Sequence, residues 1–473
     1  MVSGERGARF SSRGVGGQGR LRSQFKQGSV AFGPQHPAAH GILKLQMQLQ
    51  GEVLRWVDPQ FGFLHRGSEK LAEGRSLLQA LPYFDRFDYV ANLFQEHAYC
   101  LAIEELQPAP SGGVVALQLV RLFFDELSRI LNHLLTLSAT ALDLSAMGPI
   151  FWAFEEREAV MELCEQASGA RMHTALYRPH SFDFSVLTAV FLREVGHFLT
   201  RCARSLAGAF LGLLNNRSLK SRLSYVGQVS AAKAQAYGVT GIVARSSGVV
   251  YDLRLQGRLN YGLYRSFALR VFLGRRGDNL DRFLLRVKEV AEAFRLLSQV
   301  LAVWQPAGRP AAGVNPDSIG GGLEVVGRRP RPKQRRYSPQ REVGVLFRPH
   351  GGGLQPDSGR EGCGTLVGGL GVGQPRTALN KFTSMEALIT HFRAASEGVN
   401  IVRGWGYAGV ESPKGEVGVT LVGAGSGRPY RVKLRTPVSH NMHLIPTVSA
   451  GATFADFVAT FCSLDIVMGE IDR

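Results

Sequence analysis

Hydrophobic and polar positions along the chain change period twice. Leu43, Leu45, Met47 and Leu49 alternate with Lys44, Gln46 and Gln48, which is the period of a strand with one buried face. Gln50-Gly51 supplies a turn, and a second strand follows over residues 52–57, so a β-hairpin is predicted. From about residue 68 the period becomes helical. Val120, Phe123, Phe124, Leu127, Ile130, Leu131 and Leu134 form an apolar stripe in a helix predicted over residues 114–137. Arg121, Asp125, Ser128, Arg129 and Asn132 form a polar stripe beside it, with i,i+4 charge pairs Arg121–Asp125 and Asp125–Arg129. Further helices are predicted over 155–167, 184–214 and 281–304. Beyond a Gly/Pro/Arg-rich stretch, Ser384 is placed to cap a helix. A second hairpin spans "GEVGVTLVGAGSGRPYRVKLR", and a helix-like "FADFVATFCSLDIV" precedes the terminal "GEIDR".

These patterns give an α+β, mainly α fold. Five segments are expected: a basic arm over 1–30, an N-terminal β domain over 31–67, and a bundle of long helices over 68–306. A Gly/Pro/Arg-rich insertion over 307–382 and an α/β segment over 383–473 follow. The arm reads equally as a disordered tail or an organelle-targeting leader.

Composition adds limits. The formal net charge is +17 over 473 residues, and the opening arm and residues 328–341 together supply 12 of it. Neither stretch has zinc-finger spacing, a helix-turn-helix signature or interleaved aromatics, so no nucleic-acid partner is expected. The five cysteines (Cys100, Cys164, Cys202, Cys363, Cys462) form no CxxC pair. That argues against a disulfide framework and against a metal site in this chain. The most apolar long stretch, 187–214, is broken by Arg193, Glu194, His197, Arg201 and Arg204. No transmembrane helix is expected, and any membrane role is peripheral.

Candidate chemistry concentrates in "GPQHPAAHG" (33–41) and "LPYFDRFDYV" (81–90), which carry His36, His40, Asp85, Arg86, Asp88 and Tyr89. An imidazole that titrates near neutrality and a phenol that donates and accepts hydrogen bonds suit a ligand with two carbonyl oxygens. Each residue also has a plain structural reading: a loop histidine bonded to backbone, or an aromatic with its hydroxyl satisfied.

Nine motifs in order resemble one family. "GPQHPAAHG", "FLHRGSEKL", "LPYFDRFDYV", "ELSRILNHLL", "FWAFEERE", "SGARMH", "GDNLDRFLLRV", "ESPKGEVGV" and "DIVMGEIDR" are similar to those of the 49 kDa subunit of respiratory complex I. That family is related to the large subunit of nickel–iron hydrogenases, and a hydrogenase large-subunit-like fold is implied. Hydrogenases hold their metal on two CxxC pairs. The matching stretches here, "FLHRGSEKL" and "SLDIVMGEID", have no cysteine, so the resemblance implies quinone in the old metal pocket.

The resemblance assigns residues one by one. His40 and Tyr89 match the pair proposed to hydrogen-bond the quinone carbonyls, and Asp143 matches the carboxylate that pairs with the histidine. His36 matches a second polar residue of that loop. Asp465, Val467, Glu470 and Arg473 match residues bordering the quinone cavity. Arg66, Arg86 and His173 match residues near a terminal [4Fe–4S] cluster held by an adjacent subunit. The implied function is a core subunit of proton-pumping NADH:ubiquinone oxidoreductase. It would be inactive alone, with ubiquinone as substrate and no cofactor of its own. Its implied partners are the cluster-bearing subunit and other peripheral-arm and membrane-arm subunits, on the matrix side of the mitochondrial inner membrane or the cytoplasmic side of a bacterial membrane. Another hydrogenase-like membrane oxidoreductase and a non-catalytic scaffold are the alternatives. "DPQFG" has Gln60 where the family usually has histidine, and Ala139, Thr140, Ser145 and Gly148 also depart from its pattern.

Overall fold

In a computed structural model, residues 27–32, 43–107, 114–256, 262–304, 385–396 and 400–473 are described. The chain begins with strands β1 (Gln27–Phe32), β2 (Lys44–Gln50) and β3 (Val53–Gln60), an antiparallel sheet in that order. The β2–β3 hairpin agrees with the alternation of residues 43–49. Leu43, Leu45 and Met47 are buried on one face with Leu54 and Val57. Strand β1 is not expected from the sequence pattern. Pro59 is accommodated because β3 lies at the sheet edge, where a missing N–H breaks no ladder. Further along, β3 is covered by residues 451–454: Leu54 N–H donates to Ala452 O at 2.9 Å, and Gly451 N–H donates to Leu54 O at 2.8 Å.

Helices α1 (Ser68–Glu73), α2 (Leu77–Asp85) and α3 (Asn92–Leu106) lead into the bundle. The bundle's long members are α4 (Val114–Asp143), α5 (Gly148–Ser168) and α6 (Ala189–Asn215). Short helices α7 (Arg217–Leu223), α8 (Ala231–Ala236), α9 (Gly241–Ser246) and α10 (Leu253–Gln256) precede α11 (Asn279–Trp304). Helix α4 runs six residues past its predicted end, because "SATALD" contains no breaker. Helix α5 begins earlier than predicted, with a proline in its first turn where a missing N–H costs nothing. The stretch predicted as one helix from 184 is divided. Residues 184–186 form a 3₁₀ turn, and Thr188 Oγ1 then caps α6 by accepting Phe191 N–H at 3.1 Å. Helix α3 has no counterpart among the predicted elements; it is buried almost all round and has little amphipathic contrast.

The C-terminal part holds α12 (Met385–Ser396), then strands β4 (Gly404–Ser412), β5 (Gly415–Gly423) and β6 (Pro429–Arg435). These form an antiparallel sheet in sequence order, so the predicted second hairpin gains a third strand. Helices α13 (Pro437–Ser449), α14 (Phe454–Ser463) and α15 (Met468–Asp472) finish the chain. The predicted Ser384 cap, most of the arm and all of the insertion lie outside the described residues.

Two cores result. The larger joins α2–α6, α11 and β4–β6. The smaller joins the N-terminal hairpin to α13–α15, with Leu45 and Met47 among Met442, Phe457, Phe461 and Met468. The two ends of the described chain therefore meet across the molecule.

Candidate functional site

Tyr89 sits in the connection between α2 and α3. Helix α2 starts on a Ser76/Gln79 capping box and stops at Asp85. Phe87 and Val90 are then buried in the larger core while Tyr89 between them is half-buried, so its neighbours fix where it sits. Asp88, fully buried, accepts Val90 N–H at 3.1 Å and Ala91 N–H at 3.3 Å on Oδ1. Burial raises the phenol's proton affinity, and the charges of Asp88 and Asp465 raise it further. At neutral pH Tyr89 holds its proton. A cleft beside it is lined also by Asn92, Leu131, Arg157, Met161 and Met172.

The C-terminal segment closes on this turn. Gly469 lies so near the Phe87 carbonyl that a Cβ there would stand 2.5 Å from it. Asp465 has φ 53°, a left-handed conformation that breaks the chain between α14 and α15. Its carboxylate accepts Asn132 Nδ2–H at 2.7 Å. Burial alone would raise the Asp465 pKa, but Lys414 and Arg286 outweigh that and hold it below the usual range. Glu470 is fully buried and bonded to Gln95, and its Oε2 has no partner among the described residues. Burial, then Asp88 and Asp465, push its pKa well up. Val467 is buried in the larger core. Of the residues singled out for a quinone cavity, the structure thus brings Tyr89, Asp465 and Glu470 into one electrostatic group.

The loop and helix start around residues 62–69 also meet the C-terminal residues 472 and 473. The Asp472 carboxylate accepts Gly62 N–H at 2.9 Å and Leu64 N–H at 2.8 Å, and His65 Nδ1 is 2.6 Å from Asp472 O. Arg473 reaches Glu69 at 3.3 Å. Among the described residues no cluster of three or more His, Cys, Asp or Glu is arranged to hold a metal ion.

Asp143 ends α4, and its Oδ2 accepts the thiol of Cys462 on α14. Burial and Asp143 push that thiol's pKa well up, so it keeps its proton. His36 and His40 lie outside the described residues. Arg86 and His173 both adjoin Asp85. Arg86 is exposed and donates to Pro82 O at 2.8 Å. His173, at φ 56°, places Nδ1 3.3 Å from Asp85 O. Arg66 is exposed in the loop before α1.

The polar stripe of α4 departs from expectation. Arg121, Asp125, Ser128, Arg129 and Asn132 are all buried, and in place of the i,i+4 pairs stand partners mostly on other elements. Arg121 holds Glu104 on α3 at 2.6 Å. Asp125 accepts from Tyr177 at 3.0 Å and lies 2.7 Å from His97 Nδ1. Arg129 bonds Glu126 at 3.2 Å and lies 3.8 Å from Glu289. Glu289, on α11, also bonds His133 at 3.0 Å and Arg245 at 2.7 Å. Arg245 in turn holds Glu411 at 2.6 Å and Asp252 at 3.3 Å. Sequence reasoning does not find this network. Its signal is the recurrence of charged residues within otherwise apolar helices, as in "DRFLLRVKE".

No helix among the described residues is long and apolar enough to cross a membrane. The family model described as respiratory-chain NADH dehydrogenase, 49 Kd subunit, matches residues 143–319 and 365–473. The chain is 40% identical to the NADH-ubiquinone oxidoreductase 49 kDa subunit of Paramecium tetraurelia over 94% of this chain and 99% of that one. It is 38% identical to an NADH-quinone oxidoreductase subunit of Chelativorans sp. (strain BNC1), over 94% and 98%. It is also 38% identical to the NADH-ubiquinone oxidoreductase 49 kDa subunit of Acanthamoeba castellanii, over 95% and 97%. With the ordered motifs, the mainly helical fold and these matches in agreement, the chain belongs to the 49 kDa subunit family of respiratory-chain NADH dehydrogenase.

Proposed function

We propose that this chain is a core subunit of a proton-pumping NADH:ubiquinone oxidoreductase and forms one wall of its quinone-reduction site. The observation that carries the reading is the meeting of the Tyr89 turn with the Asp465–Glu470 segment, with Phe87, Val90 and Val467 buried in the larger core. An adjacent subunit bearing a [4Fe–4S] cluster supplies the other wall and the electrons. Arg86 and His173, beside Asp85, face that subunit, as does Arg66; positive charge and hydrogen bonds there raise a cluster's reduction potential.

Two-electron reduction of a quinone leaves two oxyanions that each take a proton. Tyr89 is a protonated phenol at working pH and donates to one of them. His40 donates to the other. Asp143, which also accepts the Cys462 thiol, is the carboxylate that pairs with His40. His36, Val467, the Asp465 carboxylate and the Glu470 carboxyl border the headgroup. Proton loss from His40 disturbs its pair with Asp143 and signals to the membrane arm. This chain is peripheral, in the arm of the complex on the matrix side of the mitochondrial inner membrane or on the cytoplasmic side of a bacterial membrane.

Tyr89→Phe and His40→Ala should each lower quinone reductase turnover at least about tenfold. Assembly and NADH oxidation with a hydrophilic acceptor should be unchanged. Normal quinone turnover in the assembled variants overturns the reading.

A further inference from the structure

The motif "ESPKGEVGV" enters the site above only through the charge of Lys414 on Asp465, yet that lysine stands in an uncommon place. Lys414 lies at the tip of the β4–β5 hairpin, between Ser412 and Gly415, which pair in the ladder. Hairpin tips ordinarily project into water. Here the Lys414 side chain is 0% exposed. Two glycines let the tip sink. A Cβ on Gly415 (φ 143°) would meet Thr240 Oγ1 at 2.7 Å, and one on Gly241 (φ 71°) would meet Gly415 Cα at 2.4 Å. The seat is bonded on both sides of the lysine. Ser412 Oγ donates to Gly415 O at 2.8 Å, and Glu416 N–H donates to Thr240 Oγ1 at 2.9 Å.

An ammonium taken out of water needs a charged partner. Lys414 Nζ lies 2.6 Å from each oxygen of Asp88. Asp88 Oδ1 is also the atom that accepts the Val90 and Ala91 N–H groups, so one carboxylate joins the hairpin tip to the turn bearing Tyr89. Asp465 and Glu470 act on the same ammonium. Burial would strip its proton, but Asp88 first, then Asp465, keep it charged. The charges of Asp88 and Asp465 in turn raise the proton affinity of the Tyr89 phenol.

We propose that Lys414 is a positioning residue for Tyr89: gripping both oxygens of Asp88, it holds the turn that presents the phenol and offsets the carboxylates around it. This rests on Tyr89 being the proton donor. When the Tyr89 O–H breaks, the proton forms a bond to the quinone oxygen and the electron pair stays as phenolate. The two electrons that reduce the quinone come from the adjacent subunit's cluster. The new negative charge appears beside Asp88 and Asp465, and Lys414 is the cation that offsets it without giving up a proton.

The test compares Lys414→Met, Lys414→Arg, Tyr89→Phe and the double variant Asp88→Asn/Lys414→Met in the assembled complex. NADH oxidation with ferricyanide reports the upstream electron path, and ubiquinone titrations give kcat and KM. Lys414→Met should lose about tenfold or more in kcat with KM changed less than about threefold, the pattern of a misplaced donor. Lys414→Arg should recover most of that loss. The double variant leaves no lone buried charge, so it assembles even where the single one does not; it should keep ferricyanide activity and stay low in quinone turnover. Wild-type kcat in assembled Lys414→Met or in the double variant overturns the proposal. Normal turnover in Tyr89→Phe instead overturns the donor reading, so the two failures are distinct.

Discussion

Glu470 shows how a single side chain can be legible in type and illegible in state. Its place in "GEIDR" marks it as part of the proposed cavity, yet only the fold shows a carboxyl buried with Asp88 and Asp465 and bonded to Gln95. Its pKa is raised, so the folded chain holds a proton that the unfolded chain releases near 4.5. The sign follows: stability falls as pH rises from about 4.5 toward the raised value. Glu470→Gln mimics the protonated form and should flatten the alkaline loss of thermal stability of the complex. A steeper loss would contradict the assignment. Tyr89 is legible in polar, turn-like sequence, whereas Asp465, in the helix-like stretch before "GEIDR", is reached through the resemblance alone. Asp88 and Lys414 were visible as residues but not as a pair, since 326 positions separate them and neither stretch carries a mark of the other. His36 and His40 rest on the chemistry of their motif and on the resemblance, and lie outside the described residues.

Among the elements, those with strong contrast between faces are legible in the sequence: the β2–β3 hairpin, β5–β6 and α4. Those without it, α3 above all, are invisible there, because a helix wetted on no side has no period to display. Helix α4 shows the converse. Its polar stripe exists, but it faces other elements rather than water, and periodicity cannot tell these apart. Arg245 is the joint of that buried network, bonding Asp252, Glu289 and Glu411 at once. Arg245→Met should cost about 3–5 kcal/mol and reduce assembly, since it leaves carboxylates buried without their cation. Thermal unfolding and complex yield would measure it. The network also sets an acid limit. Burial holds the His133 pKa down, and although burial opposes it, Arg245 and His133 hold Glu289 far below 4.5. The unfolded chain therefore takes up protons first at both groups. Stability should begin to fall as pH drops below about 6.5 and fall further through the carboxylate range, with His133→Gln removing the earlier step. An unchanged onset in that variant would place the acid sensitivity elsewhere.

Across the whole molecule the described ends form one structural unit. The hairpin at 44–60 shares a core with α13–α15, and Asp472 bonds the loop at 62–65. Asp472→Ala leaves two backbone N–H groups without their acceptor, at a cost of about 1–3 kcal/mol. Limited proteolysis should then cut faster near residues 61–66 while cleavage elsewhere is unchanged. Equal cleavage would show the bond to be dispensable. The sequence places these two stretches at opposite ends of the described chain, and only the folded molecule shows the hydrogen bonds that join them.

That closure has a kinetic side. Strand β3 hydrogen-bonds residues 451–454, which follow it by almost 400 positions. At a synthesis rate of about 5–20 residues per second, its outer edge waits roughly twenty to eighty seconds for the segment that covers it. During that interval the nascent chain offers an unpaired strand and a half-built apolar face to anything nearby. Binding of a chaperone to the hairpin, released only when residues 451–472 emerge, would be the natural safeguard. Ribosome-bound intermediates halted before and after that point should differ sharply in their tendency to aggregate.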